Sequence, residues 1–182
     1  MVGPVAFTTA WAVLGARTPG YSAVGDAISQ LAATGAPEQV GMTAGLLALG
    51  LGLGAYGVAL RAAVDGPAWA SAVVTGAASL AVAALPLPAN GADIPAHSFA
   101  AAAGYAALAA VPLLAAGPMA RRAGGGWAAA SRAAGIVCGA CLLASGAGPA
   151  SGLLQRAGLA VGHGWIAASA LVLLRRPATP SS

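Results

Sequence analysis

Long apolar stretches alternate with short polar ones along the whole chain. None shows the two-residue alternation of a membrane β-strand, and most approach the roughly 20 residues with which a helix crosses a bilayer. The pattern therefore predicts an all-α fold, a six-helix transmembrane bundle that forms one domain over residues 1–176. The expected spans are about 2–16, 39–60, 69–87, 96–118, 128–147 and 154–174.

The two ends of the chain carry separate expectations. The first span is short and begins at the initiator Met1, and a start further upstream is one explanation of its length. An upstream start would bring this span to the length of the others. At the other end, residues 177–182, "PATPSS", predict a short disordered tail.

The composition is that of a membrane protein. The chain is 59% hydrophobic and 7% charged, with a mean hydropathy of +0.83, whereas a soluble domain carries roughly a quarter charged residues. The net charge of +4 comes from arginines scattered at the ends of apolar runs. This distribution argues against a nucleic-acid partner and makes the lipid bilayer the expected one.

The arginines also predict an orientation. One side of the bundle receives six of them, and the other receives Arg17 and Arg156. Because cytoplasmic loops carry the excess of positive charge, we expect a protein of the cell membrane with both termini in the cytoplasm. The six are Arg61, Arg121, Arg122, Arg132, Arg175 and Arg176, and the outer connections are then residues 17–38, 88–96 and 148–152.

The first outer connection contains an apolar stripe. Val24, Ile28 and Leu31 recur at spacings of four and three, which predicts an amphipathic helix of about three turns on the outer surface or folded over the bundle. Asp26 would lie near the start of this helix, where a carboxylate complements the helix dipole. The same carboxylate is also a candidate acid or base.

The second outer connection, "NGADIPAH", places an acid and an imidazole four residues apart. Asp93 with Pro95 is typical of a helix start, and His97 would then lie in the first turn of the fourth helix. Alternatively, the two side chains form an acid–base pair. They are too few for zinc, which takes at least three protein ligands.

Two further polar residues belong to the sixth span. Arg156 lies on the side of the bundle that receives few arginines, so we expect it to pair with Asp26 or Asp93. His163, two turns further on, favours an interhelical hydrogen bond over a proton relay. The predicted acid–base residues are Asp93, His97 and Asp26, and the predicted ligand-binding residues are Arg156, Ser29 and His163.

The two cysteines, Cys138 and Cys141, lie in an apolar run at helical spacing. A redox pair in a membrane enzyme would need partner thiols to relay electrons, and the chain has none. We therefore expect both residues to be reduced packing residues. No cofactor or metal is expected.

The opening of the chain resembles a bacterial and archaeal membrane family, domain of unknown function 998. The resemblance rests on "PGYSAVGDAISQLAATGAPE" in the first connection, on Asp93 and His97, and on "GLLQR" at residues 152–156. It implies a six-helix protein with these residues at the outer side. The family name implies no activity.

Three classes of function remain open. The first is a membrane protein that binds a lipid-like or small amphipathic ligand in an outer polar pocket. The second is a membrane-embedded enzyme with Asp–His acid–base chemistry on a lipid or isoprenoid, in which Arg156 anchors a phosphate or carboxylate. The third is a small transporter or an accessory subunit.

Overall fold

The computed structural model describes residues 2–90 and 92–175, and it is all-helical over these ranges. The predicted six-helix bundle is confirmed, whereas the predicted tail at 177–182, Met1 and Arg176 lie outside the described residues. The helices are α1 (Val2–Arg17), α2 (Gln39–Ala63), α3 (Ala68–Ala84), α4 (Pro95–Ala123), α5 (Gly126–Ala144) and α6 (Ser151–Arg175), with a short 3₁₀ helix at Ile28–Ala32.

Within the described residues, four helices have the length and apolar composition to cross a membrane, namely α2, α4, α5 and α6. Helix α3 is apolar but shorter, with 17 residues, and α1 has 16 residues. At 1.5 Å per residue these two are roughly 24–26 Å long, slightly less than the hydrocarbon core. Several apolar helices in one chain make this a multi-pass membrane protein.

Neighbouring helices in the chain pack against each other. At one end, the Thr34 amide donates to the Leu87 carbonyl at 2.7 Å and thereby joins the first and second connections. At the opposite end, Arg122 donates to the Ala63 carbonyl at 3.1 Å and joins α4 to α2. We call the end with residues 18–38, 85–90, 92–94 and 145–150 the long-loop end, and the opposite one the short-loop end.

Small residues allow the helices to approach closely. A Cβ atom added at Gly76 of α3 would lie 2.6 Å from the Gly50 carbonyl oxygen of α2. One added at Gly135 of α5 would lie 2.8 Å from the Ala109 carbonyl oxygen of α4. Any larger residue would push the backbones apart, which explains why glycine and alanine dominate these spans.

Helix α3 ends earlier than expected. The apolar run predicted a span to residue 87, but the helix ends at Ala84. Leu85 precedes Pro86 and Leu87 precedes Pro88, and a residue before proline is disfavoured in the α conformation. The chain therefore leaves the helix at Leu85 and turns at residues 89–90 before α4 begins.

The first connection contains a short helix, as predicted, but the predicted length of three turns is wrong, because the helical part is a 3₁₀ helix of five residues, Ile28–Ala32. Upstream, the Ser22 amide donates to the Asp26 carboxylate at 2.7 Å, and the Gly25 amide donates to the Ser22 hydroxyl at 3.1 Å. These side-chain bonds satisfy local amides and favour a tight turn over a helix. The stripe still folds over the bundle, since Ile28 and Leu31 are buried, but Val24 is 52% exposed.

Candidate functional site

A groove opens between α4 and α5 at the long-loop end. Its volume is about 720 Å³, which is in the range of small-molecule sites. Small residues form its floor, and polar residues gather where it meets the loops. The floor includes Ala102, Ala106 and Gly139, and the polar residues include Asp93, His97, Ser98, Tyr105, Ser145 and Gln155. We call this feature the α4–α5 groove.

A smaller cavity of about 70 Å³ lies deeper in the bundle. Residues from α1, α2, α3, α4 and α6 and from the 3₁₀ helix line it. Five side chains line both the groove and this central cavity, so the two adjoin: Ser29, His97, Ala101, Tyr105 and Gln155. The polar residues among them therefore lie where the two spaces meet.

His97 lies in the first turn of α4, as predicted, and it is 5% exposed. Its Nδ1 lies 2.7 Å from the carbonyl oxygen of Leu85. A carbonyl accepts but does not donate, so Nδ1 carries the proton in this bond. In the neutral ring, Nε2 is therefore the nitrogen that accepts a proton or a hydrogen bond. Because α3 ends at Ala84, the Leu85 carbonyl lies outside the helix and is available to His97.

Asp93 is exposed and lines the α4–α5 groove. Asp93 stands just before the start of α4 but does not cap it, because Ile94 is the capping residue and no side-chain bond caps this helix within the described residues. The Asp93 carboxylate instead accepts a hydrogen bond from the Ser98 hydroxyl. Asp93 and His97 share the groove, and no hydrogen bond joins them within the described ranges.

Tyr105 and Gln155 are part of the site and were missed from the sequence. Gln155 accepts from the Ile28 amide at 2.9 Å through Oε1 and donates to the Tyr105 hydroxyl through Nε2. The side-chain amide of Gln155 thus joins the 3₁₀ helix to the Tyr105 phenol. A glutamine near the start of an apolar span was a signal that could have identified one of them.

Arg156 is not paired with an acid, so the expected ion pair with Asp26 or Asp93 is wrong. Its guanidinium, 6% exposed, donates at 2.9 Å to the carbonyl oxygens of Ala23, Asp26 and Gly152. The turn closed by Ser22 and Asp26 presents the first two of these oxygens and uses the Asp26 carboxylate internally.

Two aromatic rings complete this arrangement. The guanidinium carbon of Arg156 lies 5.2 Å from the Trp11 ring centre and 5.5 Å from that of Tyr21, both within cation–π range. Arg156 also donates to the Tyr21 hydroxyl, which lies 3.2 Å from the Ala27 carbonyl oxygen and donates to it. We call Trp11, Tyr21, Gly152 and Arg156, with the carbonyls of Ala23 and Asp26, the Arg156 cluster.

The electrostatics at Tyr21 fit a neutral phenol. Burial raises the pKa of the Tyr21 hydroxyl, and the nearby Arg156 guanidinium lowers it by less. The hydroxyl therefore keeps its proton and can donate to Ala27 while it accepts from Arg156. The Arg156 cluster uses most of its polar groups on the protein itself, whereas Arg156 Nε and Trp11 Nε1 are buried without a partner among the described residues. It joins the first connection to α1 and α6.

His163 lies deep in α6 and is buried. Its ring packs edge-on against Phe7, with 6.0 Å between ring centres. The expected interhelical hydrogen bond is wrong for the described part of the chain, because Nε2 is buried without a partner there. His163 lines both the central cavity and a cleft between α1 and α6.

The structure thus brings some predicted residues together and separates others. Ser29, His97 and His163 line the central cavity, and Asp93 joins Ser29 and His97 in the groove. Asp26 faces a separate surface depression that includes Tyr21 and Glu38. No cluster of three His, Cys, Asp or Glu side chains fit for a metal occurs within residues 2–90 and 92–175.

Both cysteines are free thiols, with Cys138 buried and Cys141 half-buried in α5. Neither of them lines the groove or the central cavity. Their thiols therefore lie outside the candidate site.

Comparison with known proteins agrees with the resemblance seen in the sequence. No curated protein and no solved structure matches the chain. The family model described as "Protein of unknown function (DUF998)" matches residues 1–172. This match covers nearly the whole chain, including every helix that lines the groove and the cavity. The chain is therefore an integral membrane protein of the DUF998 family.

Proposed function

We propose that the protein binds a lipid-like or small amphipathic ligand in the α4–α5 groove, with the polar end of the ligand at the central cavity. The observation that carries this proposal is the groove itself, which joins a small-residue floor to His97, Tyr105 and Gln155. An amphiphile has the matching shape and polarity, because its chain needs an apolar surface and its head needs hydrogen bonds.

The exposed residues of the groove floor support entry of the ligand sideways, from the bilayer. Ala102 and Ala106 of α4 are exposed, and both lie in a helix that is apolar enough to cross a membrane. A ligand dissolved in the bilayer would reach the groove without entering water. Alanine and glycine leave room for a chain that bulky residues would exclude.

The topology that goes with this proposal has six crossings of the cell membrane and both termini in the cytoplasm. The short-loop end carries Arg61, Arg121 and Arg122, whereas Arg156 at the long-loop end is buried. The positive-inside rule then puts the groove in the outer leaflet. Reporter fusions at Ser182 and within residues 88–92 test this, and a cytoplasmic signal from residues 88–92 would contradict it.

Filling the groove is the sharpest test of binding. Ala106→Trp places an indole on the exposed floor, and Ala140→Trp places the same ring on an exposed position of α5 that does not line the groove. We expect hexadecanol to bind the wild type and Ala140→Trp in nanodiscs and to bind Ala106→Trp at least about tenfold more weakly. Equal affinities for all three proteins would refute a ligand site in the groove.

Acid–base catalysis on the bound amphiphile is the second candidate. It is favoured by His97, whose Nδ1 is held by Leu85 so that Nε2 can take a proton, and by Asp93 on the same groove. If the protein is an enzyme, His97→Gln should abolish turnover of a bound lipid, and Asp93→Asn should slow it. A lipid recovered chemically unchanged after long incubation with the wild type would leave binding as the function.

A further inference from the structure

We infer that the head group taken by this site is an uncharged hydroxyl, and not a phosphate, a carboxylate or an ammonium group. The inference rests on the proposed function and names the ligand class of the same site. It follows from which hydrogen-bonding groups at the groove and cavity are already used by the protein and which are left.

The unused groups form a donor and an acceptor. The Tyr105 oxygen accepts from Gln155, and its own hydrogen has no acceptor within the described ranges. His97 uses Nδ1 on the Leu85 carbonyl, which leaves Nε2 as an acceptor. Both side chains line the groove and the central cavity. A hydroxyl both donates and accepts, so it can satisfy the two at once.

Anionic heads find no cation there. Asp93 is the one charged side chain that lines the groove within the described residues, and it would repel an anion. Arg156 is the nearest arginine in sequence to the groove residues Ser151 and Gln155, but its guanidinium is bonded to carbonyls and to Tyr21. The enzyme alternative gave Arg156 the role of anchoring a phosphate or carboxylate, and the present inference replaces that role with neutral recognition.

The start of α6 does not supply an anion site either. Helix N-termini attract anions when their amides are free. Here the Ser151 amide donates to Gly148 at 3.3 Å, and the Leu153 amide donates to Val24 at 2.9 Å. The first connection thus occupies a position that an anionic head would need.

A cationic head matches the site less well than a hydroxyl. An ammonium group has three donors and no acceptor, so the Tyr105 hydrogen would stay unpaired when the ligand excludes water. An unpaired buried donor costs about 1–3 kcal/mol. Asp93 offsets little of this, because it is exposed and already accepts from Ser98.

Four probes with one chain length test the head group. Hexadecanol, hexadecyl phosphate, hexadecanoate and hexadecylamine compete against radiolabelled hexadecanol for the protein in nanodiscs. We expect hexadecanol to compete best, by about tenfold or more over each of the others. Preference for any charged head would overturn the inference and leave the proposed function standing. Failure of all four to bind would overturn both.

Two variants tie the preference to named atoms. Tyr105→Phe removes the donor, and Tyr56→Phe removes a hydroxyl that instead bonds to Ser169 in the core at 2.7 Å. We expect Tyr105→Phe to weaken hexadecanol binding about fivefold to tenfold while hexadecyl phosphate changes little, and Tyr56→Phe to leave the head-group preference intact. Equal losses for alcohol and phosphate in Tyr105→Phe would contradict recognition through this hydroxyl.

Discussion

The Arg156 cluster and the α4–α5 groove lie at the same end of the bundle and use polar residues in opposite ways. In the cluster, a charge is surrounded by three carbonyls, a phenol and an indole of the protein itself. In the groove, the Tyr105 hydroxyl and His97 Nε2 each keep an unused hydrogen-bonding position. A charge bonded mostly to the protein stabilises the fold, whereas we propose that the unused donor and acceptor beside the cavity serve a ligand.

This difference corrects an intuition about membrane proteins. A rare arginine in an apolar span is a functional candidate by default, yet Arg156 holds a loop in place. His97 Nε2 and the Tyr105 hydroxyl hydrogen, in contrast, line a groove and a cavity and have no hydrogen-bond partner within the described ranges. Substitutions in the two regions should therefore separate stability from binding.

Removing the charge of the cluster should have the largest effect. Arg156→Met strands the carbonyls of Ala23 and Asp26, so we expect it to lower the free energy of unfolding in detergent by about 2–5 kcal/mol. Arg61→Met removes an exposed arginine that stacks on Trp69 and should cost less than about 1 kcal/mol. An Arg156→Met variant that is as stable as the wild type but no longer binds hexadecanol would contradict our assignment of stability to the cluster and of binding to the groove.

Crowding the cluster should have the next largest effect. A Cβ atom at Gly152 would lie 2.4 Å from the Asp26 carbonyl oxygen and 2.8 Å from an Arg156 nitrogen. We therefore expect Gly152→Ala to destabilise the protein by about 1–3 kcal/mol. Gly164 of the same helix has no atom within 4 Å of such a Cβ, so Gly164→Ala should be neutral or stabilising. Thermal unfolding of the pair checks this, and equal melting temperatures would count against a tightly packed cluster.

Removing the phenol should have a smaller effect that depends on pH. Tyr21→Phe loses bonds to Arg156 and Ala27 and should cost about 1 kcal/mol near neutral pH. Because burial raises the folded pKa of Tyr21 above its usual 10.0, the folded state holds this proton more tightly. The resulting stabilisation is present below about pH 10 and is lost as pH rises through the folded pKa. Unfolding curves at rising alkaline pH should fall less steeply for Tyr21→Phe than for the wild type.

The smallest effect should come from residues outside both regions. Cys138→Ala with Cys141→Ala keeps small apolar side chains in α5, so we expect a loss of about 1 kcal/mol at most and unchanged hexadecanol affinity. Thiol labelling of the unfolded wild type should find both cysteines reduced. A disulfide in the wild type, or loss of hexadecanol binding in the double variant, would contradict the expectation that these thiols have no part in either region.

The sequence predicted the helices because apolar run length follows directly from the bilayer. It also located His97 in the first turn of α4, because Pro95 marks a helix start. It failed at the first connection, where the side-chain bonds of Ser22 and Asp26 compete with helix formation. The spacing of apolar residues gives no information about such side-chain bonds.

The partners of Arg156 could not be predicted for a related reason. The positive charge of Arg156 suggested an acidic side chain as its partner. Every residue has a backbone carbonyl, however, so the sequence does not show which carbonyls face the guanidinium. Their direction is set by the fold of the loop. Tyr105 and Gln155 were missed because their importance comes from a contact across 50 residues of chain. In each case the sequence indicated which residues are polar, and three-dimensional packing determined which of them remain unused.

A photo-crosslinking map of a bound alcohol tests the central claim most directly. A long-chain alcohol with a diazirine in its chain is irradiated with the wild-type protein in nanodiscs, and labelled peptides are located by mass spectrometry. We predict labels concentrated on residues 101–109 of α4, on residues 139–144 of α5 and on residues 145–146 just after it, and we expect these labels to be lost when excess hexadecanol is present. Labels centred instead on residues 18–38, on the cleft between α1 and α6, or spread evenly over the outer helix surfaces would contradict the account.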